Sequence, residues 1–161
     1  MLHGCGQDAS SFAQSTRMNA LAARQGCVVL YPEQDRLANL QGCWNWFDTD
    51  SGRAQVEAEL ILKAMDMACA LCPVDPARVA VLGFSAGASM AALLATQHPE
   101  RFAAVVMHSG VPPGSAHSSA SALGAMRGRR APVAAAGHTP WPPLLVIQGQ
   151  LDAVVSPRNA A

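Results

Sequence analysis

Gly83-Phe84-Ser85-Ala86-Gly87 carries the most readable chemistry in this chain. The apolar run Val79-Ala80-Val81-Leu82 precedes it, and the helix-compatible run Ala88 to Gln97 follows. A serine in that setting is a nucleophile mounted on a sharp strand-to-helix turn. The residues two before and two after it must be very small, because the two backbones nearly touch there. Oγ then projects into a cleft, and the amide of Ala86 points to the same place from a helix N-terminus. That amide can bind a developing oxyanion. The competing reading is a glycine-rich turn that holds a phosphate or nothing.

An activated serine needs a base, and the base needs an orienting acid. Asp152 fits the acid, since it lies just past the apolar run Leu144 to Ile147, at the carboxyl end of a strand. Asp48, Asp50 and Asp75 lie in other loops and fit less well. No histidine fits the base. Nine residues follow Asp152 and none is histidine. His3 sits at a strand exit, His98 at a helix end, and His108 at the end of the strand after the serine helix. His117 and His138 fall in the long segment Ser109 to Pro143. The base is therefore expected downstream of residue 161. His3-Gly4-Cys5-Gly6 offers the second half of an oxyanion hole, through the amide of Cys5 ahead of Gly4 or Gly6. Trp44 and Trp46 share a face if their segment is extended. They either offer an apolar platform to a substrate acyl chain or cover the edge of the core.

These groups require a scaffold of alternating strands and helices. Asp8 or Ser10 caps a helix running through Phe12, Met18, Leu21 and Ala22 and ended by Gly26. Cys27 to Tyr31 is expected as a buried strand with Cys27 in the core, and Glu33 to Asp50 as a polar loop. Ala54 to Leu71 is the clearest helix, with Val56, Leu60, Ala64, Met67 and Leu71 on one stripe. Arg53, Glu57, Lys63 and Asp66 are expected mostly on its other side. Strands follow at Arg78–Leu82, Phe102–His108 and Leu144–Ile147. The helix after Ser85 is apolar nearly all round and should be buried. Ser109 to Pro143, rich in Ala, Ser, Gly and Pro, is expected as an excursion over the cleft, with a short helix at Ala120–Met126. The pattern predicts an α/β fold: one domain over 1–161, a parallel sheet with helices on both faces. Leu2-His3-Gly4 reads as the exit of a strand whose body is missing, so the domain is expected to be partial at both ends.

Composition narrows the function. Half of the 161 residues are hydrophobic, and eleven basic residues balance eleven acidic ones. That balance gives no reason to expect a nucleic-acid partner, and no apolar run is long enough to insert in a membrane. The N-terminus shows no signal-peptide pattern. Five cysteines do not make a disulfide framework. Cys69 and Cys72 end a helix, where neither a reactive pair nor a zinc site is favoured. Cys5 and Cys43 both flank the expected cleft, and a disulfide between them is left open.

Leu2-His3-Gly4-Cys5-Gly6-Gln7, Thr16 to Ala22, Leu30-Tyr31-Pro32-Glu33-Gln34 and Cys43-Trp44-Asn45-Trp46-Phe47 resemble the extracellular poly(3-hydroxybutyrate) depolymerase family of α/β-hydrolases. The serine pentapeptide, His108-Ser109-Gly110 and Gly149 to Asp152 extend the match along nearly the whole chain. The resemblance implies an α/β-hydrolase fold and a secreted serine esterase acting on short-chain polyhydroxyalkanoate. It also implies relatives that cleave feruloyl or acetyl esters. Ser85 would be the nucleophile, Asp152 the triad acid and Cys5 an oxyanion donor, with an ester or polyester as partner and no metal or cofactor. Ala88 departs from the glycine of many members. The strands before Leu2 and the family's histidine segment are absent, so a catalytically impaired fragment that only binds esters is the alternative. A peptidase or thioesterase on the same fold is a weaker one.

Overall fold

The computed structural model describes residues 1–132 and 140–161. His138, one of the histidines considered above, lies outside the described residues. Two short helices come first, α1 (Ala9–Thr16) and α2 (Met18–Gln25), then the long α3 (Arg53–Leu71). Strand β1 (Ala80–Phe84) leads into α4 (Ala86–Gln97), and β2 (Ala104–His108) follows. After α5 (Ser119–Met126) comes β3 (Leu144–Ile147). The strands form a parallel sheet in the order β1-β2-β3. Phe84 stands opposite His108 and His108 opposite Ile147, so all three strands end level. Leu2 adds a parallel bridge on the outer side of β1. Its N–H donates to Leu82 O (2.8 Å), and its carbonyl accepts from Phe84 N–H (3.1 Å). The loop after Leu2 therefore emerges beside Ser85.

Burial of α4 holds this edge together. Ten of its twelve residues are buried, with Met90 and Leu94 fully so, and Val81, Val105 and Met107 are buried in β1 and β2. Each such large apolar side chain contributes roughly 1.5–3 kcal/mol. The opposite strand positions, Leu82 and Val106, are only half-buried, and all four residues of β3 are exposed. Within the Ser109–Pro143 segment, Val111, Ala116, Ala122 and Ala125 pack into the core. A capping box between Ser118 and Ser121 starts α5 close to the expected position.

Four local expectations are corrected. The first helix is broken at Arg17, whose left-handed backbone (φ 55°) ends α1 and starts α2; Asp8 is the cap of α1. Cys27–Tyr31 is not a strand, and Cys27 is exposed. The Met1 amino group donates to Leu30 O (2.7 Å). The stripe expected to face inward on α3 faces out: Val56, Leu60, Met67 and Leu71 are exposed. Ala54, Glu57, Ala58, Ile61 and Leu62 are buried instead. Small Ala54 and Ala58 allow a close approach that the larger stripe would block. Glu57 is thus inside.

Candidate active site

Ser85 is held between β1 and α4 with φ 54° and ψ −118°, a conformation side chains rarely adopt. The neighbouring glycines explain how the turn closes. A methyl group on Gly83 would overlap the Gly87 carbonyl, and one on Gly87 would overlap the carbonyls of Leu2 and His3. The strand, the helix and the Leu2–Gly4 loop therefore meet at a point where only glycine fits. Ser85 N–H donates to His108 O (2.9 Å), which ties the elbow to β2. Oγ is half-buried and has no hydrogen-bond partner among the described residues.

Two amides beside the elbow are unspent. The N–H of Ala86, first residue of α4, has no acceptor among the described residues, as expected of a helix's first turn. In the Leu2–Gln7 loop the neighbouring amides are engaged: Gly4 N–H on Gln7 Oε1 (2.8 Å), Gly6 N–H on Gln41 O (2.8 Å) and Gln7 N–H on Gly4 O (3.3 Å). Cys5 N–H alone of these four has no acceptor among the described residues. The amides of Gly4 and Gly6, the other two candidates, are both engaged. Cys5 is also bonded to Cys43, with Cα atoms 4.2 Å apart, so the disulfide left open by the sequence is formed.

Asp152 lies beyond β3 in a loop that its own carboxylate organises. Oδ1 accepts from Val154 N–H and Val155 N–H (2.9 Å each), and Oδ2 accepts from Gln148 Nε2 (3.1 Å). The Val155 amide, then that of Val154, holds the carboxyl below its ordinary range. Because the strands end level, Ser85, Ser109 and Gln148 follow them in one row, and Asp152 is at the same sheet edge.

None of the described histidines hydrogen-bonds to Ser85 Oγ. His3 is buried, accepting from Gln34 N–H at Nε2 (3.1 Å), so Nδ1 carries the proton and donates to Gly4 O (2.8 Å). His98 caps the far end of α4, about 18 Å along the helix from Ser85. His108 packs edge-on against Phe84 at 5.2 Å, and His117 pairs with Asp50 at 3.0 Å. Trp44 and Trp46, read from sequence either as a substrate platform or as cover for the core edge, are both buried in the core. Trp44 is 2% exposed, its Nε1–H donating to His3 O (3.1 Å), and it belongs to the core under the loop. Trp46 lines an open cavity of about 440 Å³ with Ser89, Leu93, Ala116 and Trp141. Ser85 is not among the residues lining it; Ser89 is one helical turn further on. The buried carboxylate of Glu57, which binds Gln34 and Asn45, was not anticipated from sequence. The small residues Ala54 and Ala58 on its face were the available signal. Among the described residues no cluster of His, Cys, Asp and Glu is suited to a metal ion.

The described residues thus form a parallel α/β sheet with a serine on a glycine-flanked strand–helix elbow. The sequence model of the family described as Esterase PHB depolymerase matches residues 1–161, and the chain belongs to that family. Among curated relatives, poly(3-hydroxyalkanoate) depolymerase C of Paucimonas lemoignei is 34% identical, covering 98% of this chain and 41% of that protein. Feruloyl esterase B of Neurospora crassa is 33% identical, covering 68% of this chain and 37% of that protein. The chain thus spans less than half the length of either relative. The fold is that of an acetyl xylan esterase from Aspergillus awamori, with a TM-score of 0.76 at 20% identity, covering 98% of this chain and 63% of that one.

Proposed function

We propose that this chain supplies the nucleophile, triad acid and oxyanion hole of a serine carboxylic ester hydrolase acting on polyesters of short 3-hydroxyalkanoates. The observation that carries the reading is the pair of unspent amides, Cys5 and Ala86, at the elbow of Ser85. Ser85 Oγ attacks the ester carbonyl, and its proton passes to a histidine oriented by Asp152. Negative charge on the carbonyl oxygen rests on the two amides. Collapse expels the alcohol, protonated by the same histidine, and water then releases the acyl group from Ser85 by the reverse sequence. That histidine is assigned to residues outside the described set. The chemistry uses no metal or organic cofactor.

The cavity lined by Trp46 and Trp141 favours a second reading, in which an aromatic or acetyl acyl ester of a plant polysaccharide is the substrate. The Cys5–Cys43 disulfide supports an extracellular location, since such bonds persist in oxidising compartments. Among the described residues no helix is long and apolar enough to cross a membrane. The test compares clearing of a poly(3-hydroxybutyrate) suspension with hydrolysis of acetylated xylan, methyl ferulate and a chromogenic butyrate ester. Ser85→Ala is expected to lower every activity about ten-thousandfold or more. Retention of activity by Ser85→Ala refutes the assignment, and cleavage of ferulate in preference to the polyester selects the second reading.

A further inference from the structure

We propose that His3, with Gln34 and Glu57 behind it, is a positioning residue that aims the Cys5 amide at the reacting carbonyl; this rests on the reading of Cys5 as an oxyanion donor. The Gly4 carbonyl and the Cys5 N–H belong to one trans peptide plane and point in opposite directions. Whatever fixes the carbonyl therefore aims the amide. His3 Nδ1–H donates to that carbonyl at 2.8 Å. The disulfide to Cys43 restrains the side chain of Cys5, but leaves rotation of the peptide to be set by the backbone.

His3 is itself held at three further points, two on the ring and one on its backbone. Gln34 N–H donates to Nε2, the ring lies 5.3 Å from that of Trp44, and the indole Nε1–H donates to the His3 carbonyl. Gln34 is then anchored through its side chain, with Nε2 donating to Cys43 O (3.0 Å) and to Glu57 Oε1 (2.8 Å). Glu57 also accepts from Asn45 N–H at Oε2 (2.8 Å) and from Asn45 Nδ2 at Oε1. Every group facing this 5% exposed carboxylate is an N–H donor, so an acceptor-only side chain is required there. The result is a continuous link from helix α3 through Gln34 and His3 to the Gly4–Cys5 peptide. Neither His3 nor Glu57 reaches the reacting atoms.

Two substitutions at His3 separate aiming from packing. His3→Asn places an N–H where Nδ1 stood, keeping the bond to Gly4 O and losing the one from Gln34. His3→Gln reaches toward the Nε2 position, keeping the Gln34 bond and leaving the Gly4 carbonyl only the longer bond from Gln7 N–H (3.3 Å). Both shed one hydrogen bond, so a purely structural role predicts similar losses. The measurements are thermal midpoint, steady-state hydrolysis of the chromogenic butyrate ester, and the rate at which a phosphonate labels Ser85. His3→Gln is expected to lower kcat and labelling about 10–100-fold with KM within about twofold, and His3→Asn to stay within about threefold. Glu57→Gln, which turns a donor toward the surrounding N–H groups while leaving His3 in place, is expected to lower kcat without raising KM. Rates that simply follow the thermal midpoints of these variants overturn the proposal. Unchanged rates in His3→Gln alongside an inactive Ser85→Ala overturn the role of His3 alone, whereas an active Ser85→Ala overturns the serine reading beneath it.

Discussion

Replacing Ser85 by glycine should stabilise the protein, and replacing it by alanine should not. At φ 54° and ψ −118° any residue with a Cβ is strained, at a cost of about 1–3 kcal/mol. Glycine removes that strain but gives back about 0.5–1 kcal/mol through the greater freedom of its unfolded chain. The net expectation is that Ser85→Gly exceeds Ser85→Ala by about 0.5–2 kcal/mol. For a chain of 161 residues that corresponds to a rise in Tm of about 1–8 °C. The comparison is clean because Oγ has no hydrogen-bond partner among the described residues, so both variants discard the same unpaired hydroxyl. Differential scanning calorimetry at matched scan rate, with refolding checked, measures the difference. Equal or lower stability of Ser85→Gly would show that the elbow is relaxed, and that its geometry reflects loop packing rather than a conformation imposed on the serine.

Reduction of Cys5–Cys43 opens a loop of 38-residue separation and is expected to cost about 4 kcal/mol of stability on the chain-entropy account. Denaturant midpoints of the oxidised protein and the Cys43→Ala variant check this, and a difference under about 1 kcal/mol would mean that the unfolded chain gains little from the cut. Asp152 gives a pH prediction. Its folded-state pKa lies below the ordinary 3.8, the Val155 and Val154 amides being the main cause. Its contribution is therefore fully present above pH 3.8 and lost as pH falls through the depressed folded value. NMR titration of the Asp152 carboxyl should give a midpoint under 3.8, and Asp152→Asn should remove this acid-side dependence; a midpoint at or above 3.8 contradicts the observed hydrogen bonds.

The parts of the site that were legible in the residues are those demanding a rare backbone or a rare pairing. Gly83 and Gly87 announced a close approach, and the structure supplies the atoms they approach, the carbonyls of Gly87, Leu2 and His3. The parallel pairing of β1, β2 and β3 was readable because the apolar strand runs alternate with helical ones. Arg17 was not readable as a break, since arginine carries no preference for the left-handed region that it occupies at φ 55°. The orientation of α3 was missed because two apolar stripes share the same helical period. Only tertiary contact decides between Val56-Leu60-Met67 and Ala54-Ala58-Ile61. Trp44 was ambiguous for a similar reason, its role turning on whether its segment was extended.

Glu57 shows most clearly why positioning groups escape a reading that chemistry-bearing groups survive. A nucleophile must sit in a special backbone and so leaves glycines around it. A residue that aims an amide needs only ordinary helix geometry and partners brought in from elsewhere, here Gln34 and Asn45, which are 23 and 12 positions away. Its burial reverses the usual rule that a helical glutamate faces water. That rule yields when several N–H donors converge and no competing acceptor is present, because their joint desolvation would otherwise go uncompensated. Those donors come from the Gln34 side chain, inside the disulfide loop, and from Asn45, just beyond its end at Cys43. A single carboxylate thus ties together the chain on both sides of Cys43, the residue that restrains Cys5. A loop cross-linked at one point can still swivel about that point; the short bond from His3 to the Gly4 carbonyl, with the longer one from Gln7 N–H, opposes the remaining rotation.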